Sequence, residues 1–173
     1  TCHNPLSAHG GSRQDVKLCV LCHQPQTTDP DTGNTVDFKV MVHKIHRGES
    51  LPSVEAGTPY VIIGNSQSVH DFSNVVFPQD IRNCQTCHTT AGSENASTQS
   101  NNWYTFPSRA ACQSCHDDVD FATGANHPAG VQVDDSQCAS CHQPQGGAEW
   151  DASIMGAHTV PYKSTQLLGL QAE

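Results

Sequence analysis

The chain has 173 residues with 8 basic and 17 acidic side chains, a formal charge of -9, which excludes the basic face that nucleic-acid binding needs. Only 35% of its residues are hydrophobic and 6% aromatic, and mean hydropathy is -0.49. That is too little apolar side chain for an ordinary protein-only core, and no apolar run approaches the about 18 residues of a membrane span.

In chain order, Thr1, Cys2 and His3 have the form of the last three residues of a C-x-x-C-H motif. Four complete copies follow: Cys19 to His23, Cys84 to His88, Cys112 to His116 and Cys138 to His142. C-x-x-C-H attaches a c-type haem: each cysteine forms a thioether with the porphyrin and the histidine binds the iron. Haem c is therefore expected at four complete sites, with a fifth at Cys2-His3. The cysteines concerned are Cys2, Cys19, Cys22, Cys84, Cys87, Cys112, Cys115, Cys138 and Cys141. The alternatives are weaker. Paired C-x-x-C steps can make four-cysteine zinc sites, but zinc needs no histidine after every pair. A thioredoxin-type dithiol would sit once beside a βαβ pattern, which is missing. The motifs use all nine cysteines, leaving none for disulfides or a thiol nucleophile.

Between the motifs, Ala8-His9-Gly10-Gly11 places a histidine where the backbone can pass close to a flat ligand, or simply in a turn. Residues 28–34 are turn chemistry. They share a faint likeness with the start of a calcium loop, without its glycine position or distal glutamate. The clearest helix spans about Asp37 to Arg47. Phe38, Met41, Val42 and Ile45 form its apolar stripe, Asp37 starts it and Gly48 stops it. His43 and His46, three residues apart, emerge from neighbouring sides and can serve two haems; otherwise they belong to a polar stripe with Lys44 and Arg47. Tyr60 to Ile63 reads as a short strand. His70 is a further ligand candidate, with Asp71 as an acceptor to orient its ring.

Residues 89–102 form a polar, low-complexity loop, expected to join lobes at about 1–88 and 103–158 of a single domain covering 1–173. Trp103, Tyr104 and Phe106 are an aromatic cluster expected to pack on a haem edge. His127 lies between the last two motifs, stiffened by Pro128, and His158 follows them. The tail, 159–173, with apolar residues 166–170, reads as a strand or linker towards a neighbouring domain. The fold expected is that of a multihaem cytochrome c: haem-cored, mostly irregular, with a few short α-helices and little or no β-sheet.

The proximal iron ligands are then His3, His23, His88, His116 and His142. The distal candidates are His9, His43, His46, His70, His127 and His158, six for at most five haems. Methionine is the rival distal ligand, but only Met41 and Met155 exist and Met41 belongs to the helix stripe. Two histidines per iron leave no open position, which points to electron transfer rather than an enzyme. Because c-type haem is attached outside the bacterial cytoplasm, the expected location is the periplasm or beyond. A periplasmic multihaem carrier, a haem-filament subunit and a multihaem reductase of the nitrite or tetrathionate type are the alternatives; the last needs an open iron.

Several stretches resemble the outer-membrane decahaem cytochromes of the OmcA/MtrC type. They are His9-Gly-Gly-x-Arg13, Phe38 to Gly48, Val69 to Asp80, Asn126-His127-Pro128 and Gly156-Ala157-His158-Thr159. The resemblance covers nearly the whole chain. It implies one pentahaem module, the N-terminal one of the two, flanked in a longer protein by β-barrel-like domains. It also implies bis-histidine ligation, display at the cell surface, and electron delivery to extracellular metal oxides, flavins or partner cytochromes. The first motif departs from the pattern, since its leading cysteine is not in the sequence.

Overall fold

The computed structural model describes residues 3, 5–89 and 100–169. Cys2, most of the polar loop and Leu170 lie outside that range. The chain forms two compact units, Thr1–Val75 and Val76–Glu173. The division falls ahead of the Cys84 motif rather than in the loop 89–102, so the third motif belongs with the second unit.

In the first unit, Ala8 and Arg13 pair in an isolated bridge that closes a tight loop. His9, Gly10 and Gly11 are all left-handed there, and the Ser12 hydroxyl donates to the His9 carbonyl at 3.0 Å. Helix α1, Val16–Cys19, is capped by Asp15, which accepts from the Lys17 amide. It leads into the loop 28–35, which Asp29 organises. This carboxylate is 3% exposed and accepts from the Thr32 hydroxyl at 2.6 Å and the Ile63 amide at 2.9 Å. Those two donors, led by the Thr32 hydroxyl, hold its pKa below the ordinary carboxylate value. The likeness to a calcium loop thus has another origin: the carboxylate fastens the loop to the following strand.

Helix α2, Phe38–Arg47, has the expected caps, with Asp37 accepting from the Lys39 amide and Gly48 ending it. The stripe residues Phe38, Met41, Val42 and Ile45 are only half-buried, however, and the helix residue that protein covers best is Val40. After a 3-10 turn at Gly48–Ser50 and helix α3, Pro52–Glu55, strand β1, Val61–Ile63, pairs antiparallel with β2, Val69–Asp71, placing Ile62 opposite His70. Tyr60 precedes the hairpin, 2% exposed, with its hydroxyl donating to the Thr35 carbonyl at 2.7 Å. Lys44 Nζ lies 5.5 Å from the centre of its ring, a cation–π contact.

The second unit opens on a bidentate pair, Arg82 with Asp80, at 2.6 and 2.9 Å, ahead of a 3-10 turn at Cys84–Thr86. Helix α4, Asn102–Thr105, carries Trp103 edge-on to Tyr104, while Phe106 is 69% exposed. Helix α5, Arg109–Gln113, starts at Ser108, whose hydroxyl accepts from the Ala111 amide. Arg109 then fastens the approach to the last motif by donating to Asp135 at 2.8 Å and to the carbonyls of Gln132 and Val133. Helix α6, Cys138–Cys141, is the last motif itself, and helix α7, Ile154–Ala157, follows it.

The tail does not form the expected strand. It forms a 3-10 turn at Pro161–Lys163 and helix α8, Thr165–Gly169. Glu149 holds the start of that helix, accepting from the Ser164 hydroxyl at 2.5 Å and from the Thr165 amide and hydroxyl at 2.8 Å. An amphipathic pattern cannot reveal such a cap, because the carboxylate comes from 16 residues upstream.

The protein-built core is small. Among the described residues the buried hydrophobic side chains are Val40, Leu51, Tyr60, Phe121 and Val160, while Leu18, Val20, Leu21 and Val133 are among the large apolar side chains left exposed. This agrees with the low apolar content and the expected few helices and little sheet.

Two predictions follow from these contacts. Gly48 has φ of 48° and its Cβ position would collide with the Val75 carbonyl, whose carbon is 2.8 Å away. Gly48→Ala should therefore cost about 2–4 kcal/mol, read as a lower denaturation midpoint. Hydrogen bonds from Ser164 and then Thr165 lower the Glu149 pKa from 4.5 to about 2. A depressed carboxylate pKa contributes stability that is complete above the unfolded value and disappears as pH falls through the folded one. The tether of α8 should thus be intact above about pH 4.5 and fail towards about pH 2. Amide exchange at Thr165 and Gln166, corrected for intrinsic rates, reads this directly, and Glu149→Gln should speed tryptic cleavage after Lys163 at neutral pH.

Candidate haem-binding sites

The spacing of C-x-x-C-H has a local structural consequence that all four complete motifs share. In each, the histidine amide donates to the carbonyl of the leading cysteine: His23 to Cys19 at 2.9 Å, His88 to Cys84 at 2.8 Å, His116 to Cys112 at 2.9 Å and His142 to Cys138 at 2.9 Å. Each motif is one helical turn, so positions i, i+3 and i+4 share a face. Two sulfurs and one imidazole are thereby presented together to whatever lies against the turn.

Three of the motif thiols sit where the thiolate is disfavoured. Burial, the leading cause, pushes Cys84 up to about 11 and raises Cys112 and Cys138. Zinc binding and nucleophilic or redox chemistry use the thiolate, which these environments disfavour. Among the described residues, no group of three or more His, Cys, Asp or Glu side chains is placed to hold a bare metal ion, so the four-cysteine zinc reading finds no assembled site.

The histidines are organised more tightly than the cysteines. In the first unit, His3 faces His46 with ring centres 5.9 Å apart, and His9 faces His23 at 6.0 Å. In the second, His116 faces His158 at 6.2 Å and His127 faces His142 at 6.4 Å. Every pair joins a motif histidine to one outside the motifs. Two metal–nitrogen bonds of about 2.0–2.1 Å, with about 1.1 Å from each ring centre to its nitrogen, give roughly 6.3 Å for imidazoles on opposite sides of one metal. The chain spaces these rings as a six-coordinate iron would require, so its residues fit haem.

Backbone carbonyls fix how several rings present themselves. Nδ1 of His43 donates to the Lys39 carbonyl at 2.5 Å, His46 to Val42 at 2.7 Å and His158 to Ile154 at 2.7 Å. These are i-4 contacts on helical turns. Nδ1 of His23 donates to Val36 at 2.8 Å and that of His127 to Gly130 at 2.8 Å. A carbonyl can only accept, so Nδ1 carries the proton in these five rings and Nε2 is left as the metal-binding nitrogen. Phe121, buried, packs edge-on to His127 at 5.1 Å and steadies it further. Asn126, left-handed at φ 59°, donates to the Asp118 carbonyl and sets the turn that delivers His127.

His70 is different. It is exposed on β2, its Nε2 is engaged by the Ser68 hydroxyl at 3.0 Å, and its ring lies parallel to Phe72 at 6.5 Å. Asp71 does not orient it, contrary to expectation, because that carboxylate accepts from the Ser73 amide at 2.9 Å. A carboxylate one residue along a strand points to the opposite face, which makes it a turn cap here rather than an imidazole partner. The carbonyl acceptors themselves escaped the sequence reading, although the i-4 relation on a recognised helix would have located those for His43 and His46.

Comparison with known proteins places this arrangement. The sequence profile of the family described as outer membrane cytochrome MtrC/MtrF-like, domains II/IV, matches residues 1–159. The multiheme cytochrome MtrC of Shewanella baltica (strain OS185) is 31% identical over 175 residues, covering 99% of this chain and 21% of that protein. The crystal structure of the outer membrane decaheme cytochrome OmcA superposes with a TM-score of 0.65 at 28% identity, over 91% of this chain and 22% of the other. The chain spans about a fifth of the length of each of these relatives. With motif turns, opposed histidines and a family match running through residue 159, the chain belongs to the MtrC/MtrF-like outer-membrane cytochromes and is a module of their domain II/IV type.

Proposed function

We propose that this module carries haem c at its four complete motifs and a fifth at Cys2-His3, each iron held by two histidines, and that it transfers electrons within a longer outer-membrane protein. The observation that carries this reading is the set of four opposed pairs, His3 with His46, His23 with His9, His116 with His158 and His142 with His127. In each, the motif histidine is the proximal ligand and the other the distal one. His88 is a further proximal ligand. His43 is a distal ligand, since its Nδ1 is tied to a carbonyl, and His70, with Nε2 engaged by Ser68, is the spare.

Bound haem supplies a one-electron ferric–ferrous couple. The chain's contribution is to hold the axial imidazoles at fixed separation, to raise their basicity through the Nδ1 contacts, and to close both axial positions. Closed axial positions leave oxygen, nitrite or peroxide nowhere to bind, which disfavours the multihaem reductase alternative. The small protein core supports a haem-cored fold, because porphyrin plates would cover the half-buried stripe of α2. The charge of -9 gives an acidic surface suited to steering cationic or metal-complex partners. Family membership favours the cell-surface reading over a periplasmic carrier or a filament subunit, with extracellular metal oxides, flavins or partner cytochromes as electron acceptors.

The test is the absorption spectrum of the reduced protein before and after carbon monoxide. The wild type should show sharp c-type bands that the gas leaves unmoved. His43→Ala, His46→Ala and His158→Ala should each open one iron and shift one haem's share of the spectrum, whereas His70→Ala should shift none. Gas binding to the wild type, or indifference of the His46 and His158 variants, would sink the ligand assignment.

A further inference from the structure

Arg47 is the last residue of α2, and its Nε is buried with no hydrogen-bond acceptor among the described residues. A buried guanidinium donor without an acceptor is costly and marks a missing partner, and a partner for guanidinium is an anion with paired oxygens. Helix geometry says where that anion lies. Arg47 stands four residues after His43, one turn along the same face, while His46 is one residue away and faces elsewhere. A group ligated through His43 therefore passes beside Arg47. Of the other bases on that helix, Lys44 has its ammonium against the Tyr60 ring and Lys39 is exposed to solvent; Arg47 is the one with a buried donor in need of an acceptor.

On the reading above, the group at His43 is a haem, and the anion it carries is a propionate carboxylate. We infer that Arg47 is a propionate-binding residue that holds the edge of the haem ligated by His43 and sets its reduction potential. A propionate left alone favours the ferric iron, because its negative charge lies close to the metal. Pairing with Arg47 offsets that charge and favours the ferrous form. Arg47 is a positioning residue: it does not touch the iron.

The test is a spectroelectrochemical titration of the haem-loaded protein as wild type, Arg47→Gln and Arg47→Lys, with haem content measured alongside. In Arg47→Gln, one haem component should show a ferrous-to-ferric ratio at least about threefold lower at a given potential, a fall of about 28 mV at 59 mV per decade. Arg47→Lys, which keeps the charge, should lie closer to the wild type. Loss of one haem in Arg47→Gln but not in Arg47→Lys would support the same assignment. Unchanged components in a fully loaded Arg47→Gln would overturn it. So would an Arg47→Lys that falls as far as the glutamine variant or loses the haem as well, since the role would then be packing. The ligand assignment fails separately, through the carbon monoxide experiment on the wild type.

Discussion

An imidazole has two nitrogens, and in this protein the backbone takes one of them. Five rings give Nδ1 to a carbonyl, which leaves Nε2 as the nitrogen available to a metal. The consequence reaches beyond the rings. Three of these are i-4 contacts on helical turns, made by His43 and His46 on α2 and by His158 at the end of α7. The other two are closed by loop carbonyls, Val36 and Gly130. Side-chain bonds to backbone also order the neighbouring loops, Asp29 accepting from the Ile63 amide and Asn126 donating to the Asp118 carbonyl. Irregular chain of this kind is ordered by polar clamps rather than by apolar packing.

That ordering explains how so little hydrophobic core suffices. Among the described residues, Val40, Leu51 and Tyr60 in one unit, and Phe121 and Val160 in the other, are the buried hydrophobic side chains. Several large apolar side chains near the motifs, Leu18, Val20 and Leu21 among them, remain exposed. On the proposed reading, this exposed apolar surface would be covered by the haem attached beside it. With haem in place, the opposed histidine pairs would act as cross-links between segments distant in sequence. His3 and His46, or His116 and His158, would be joined through one metal much as a disulfide closes a loop.

Much of this was legible in the sequence because the relevant signals are local. A C-x-x-C-H turn needs five consecutive residues, and α2 announces itself through Asp37, a 3.6-residue stripe and Gly48. The hairpin strand at Val61–Ile63 showed in its β-branched run. Pairing was not legible. Which distal histidine meets which motif depends on chain paths through loops whose clamps, such as Glu149 on Thr165 or Arg109 on Asp135, span 16 and 26 residues. The stripe of α2 misled in one respect: periodicity identifies an apolar face but not what covers it, and here protein covers Val40 better than the stripe. Asp71 misled for a similar reason, since adjacency in sequence along a strand means opposite faces in space.

The excess of one histidine over the number of irons has a physical resolution that counting could not provide. Beside its exposed place on β2, His70 is set apart from the other distal candidates by what its Nε2 does. The Ser68 hydroxyl engages that nitrogen, and adding a Cβ to Gly64 would bring an atom to 2.8 Å from it. An iron ligated there would have to displace the Ser68 hydroxyl from that nitrogen. In His43 and His46, by contrast, helix carbonyls hold the opposite nitrogen. The proposed separation of ligand from bystander thus rests on which nitrogen of the ring the local fold engages.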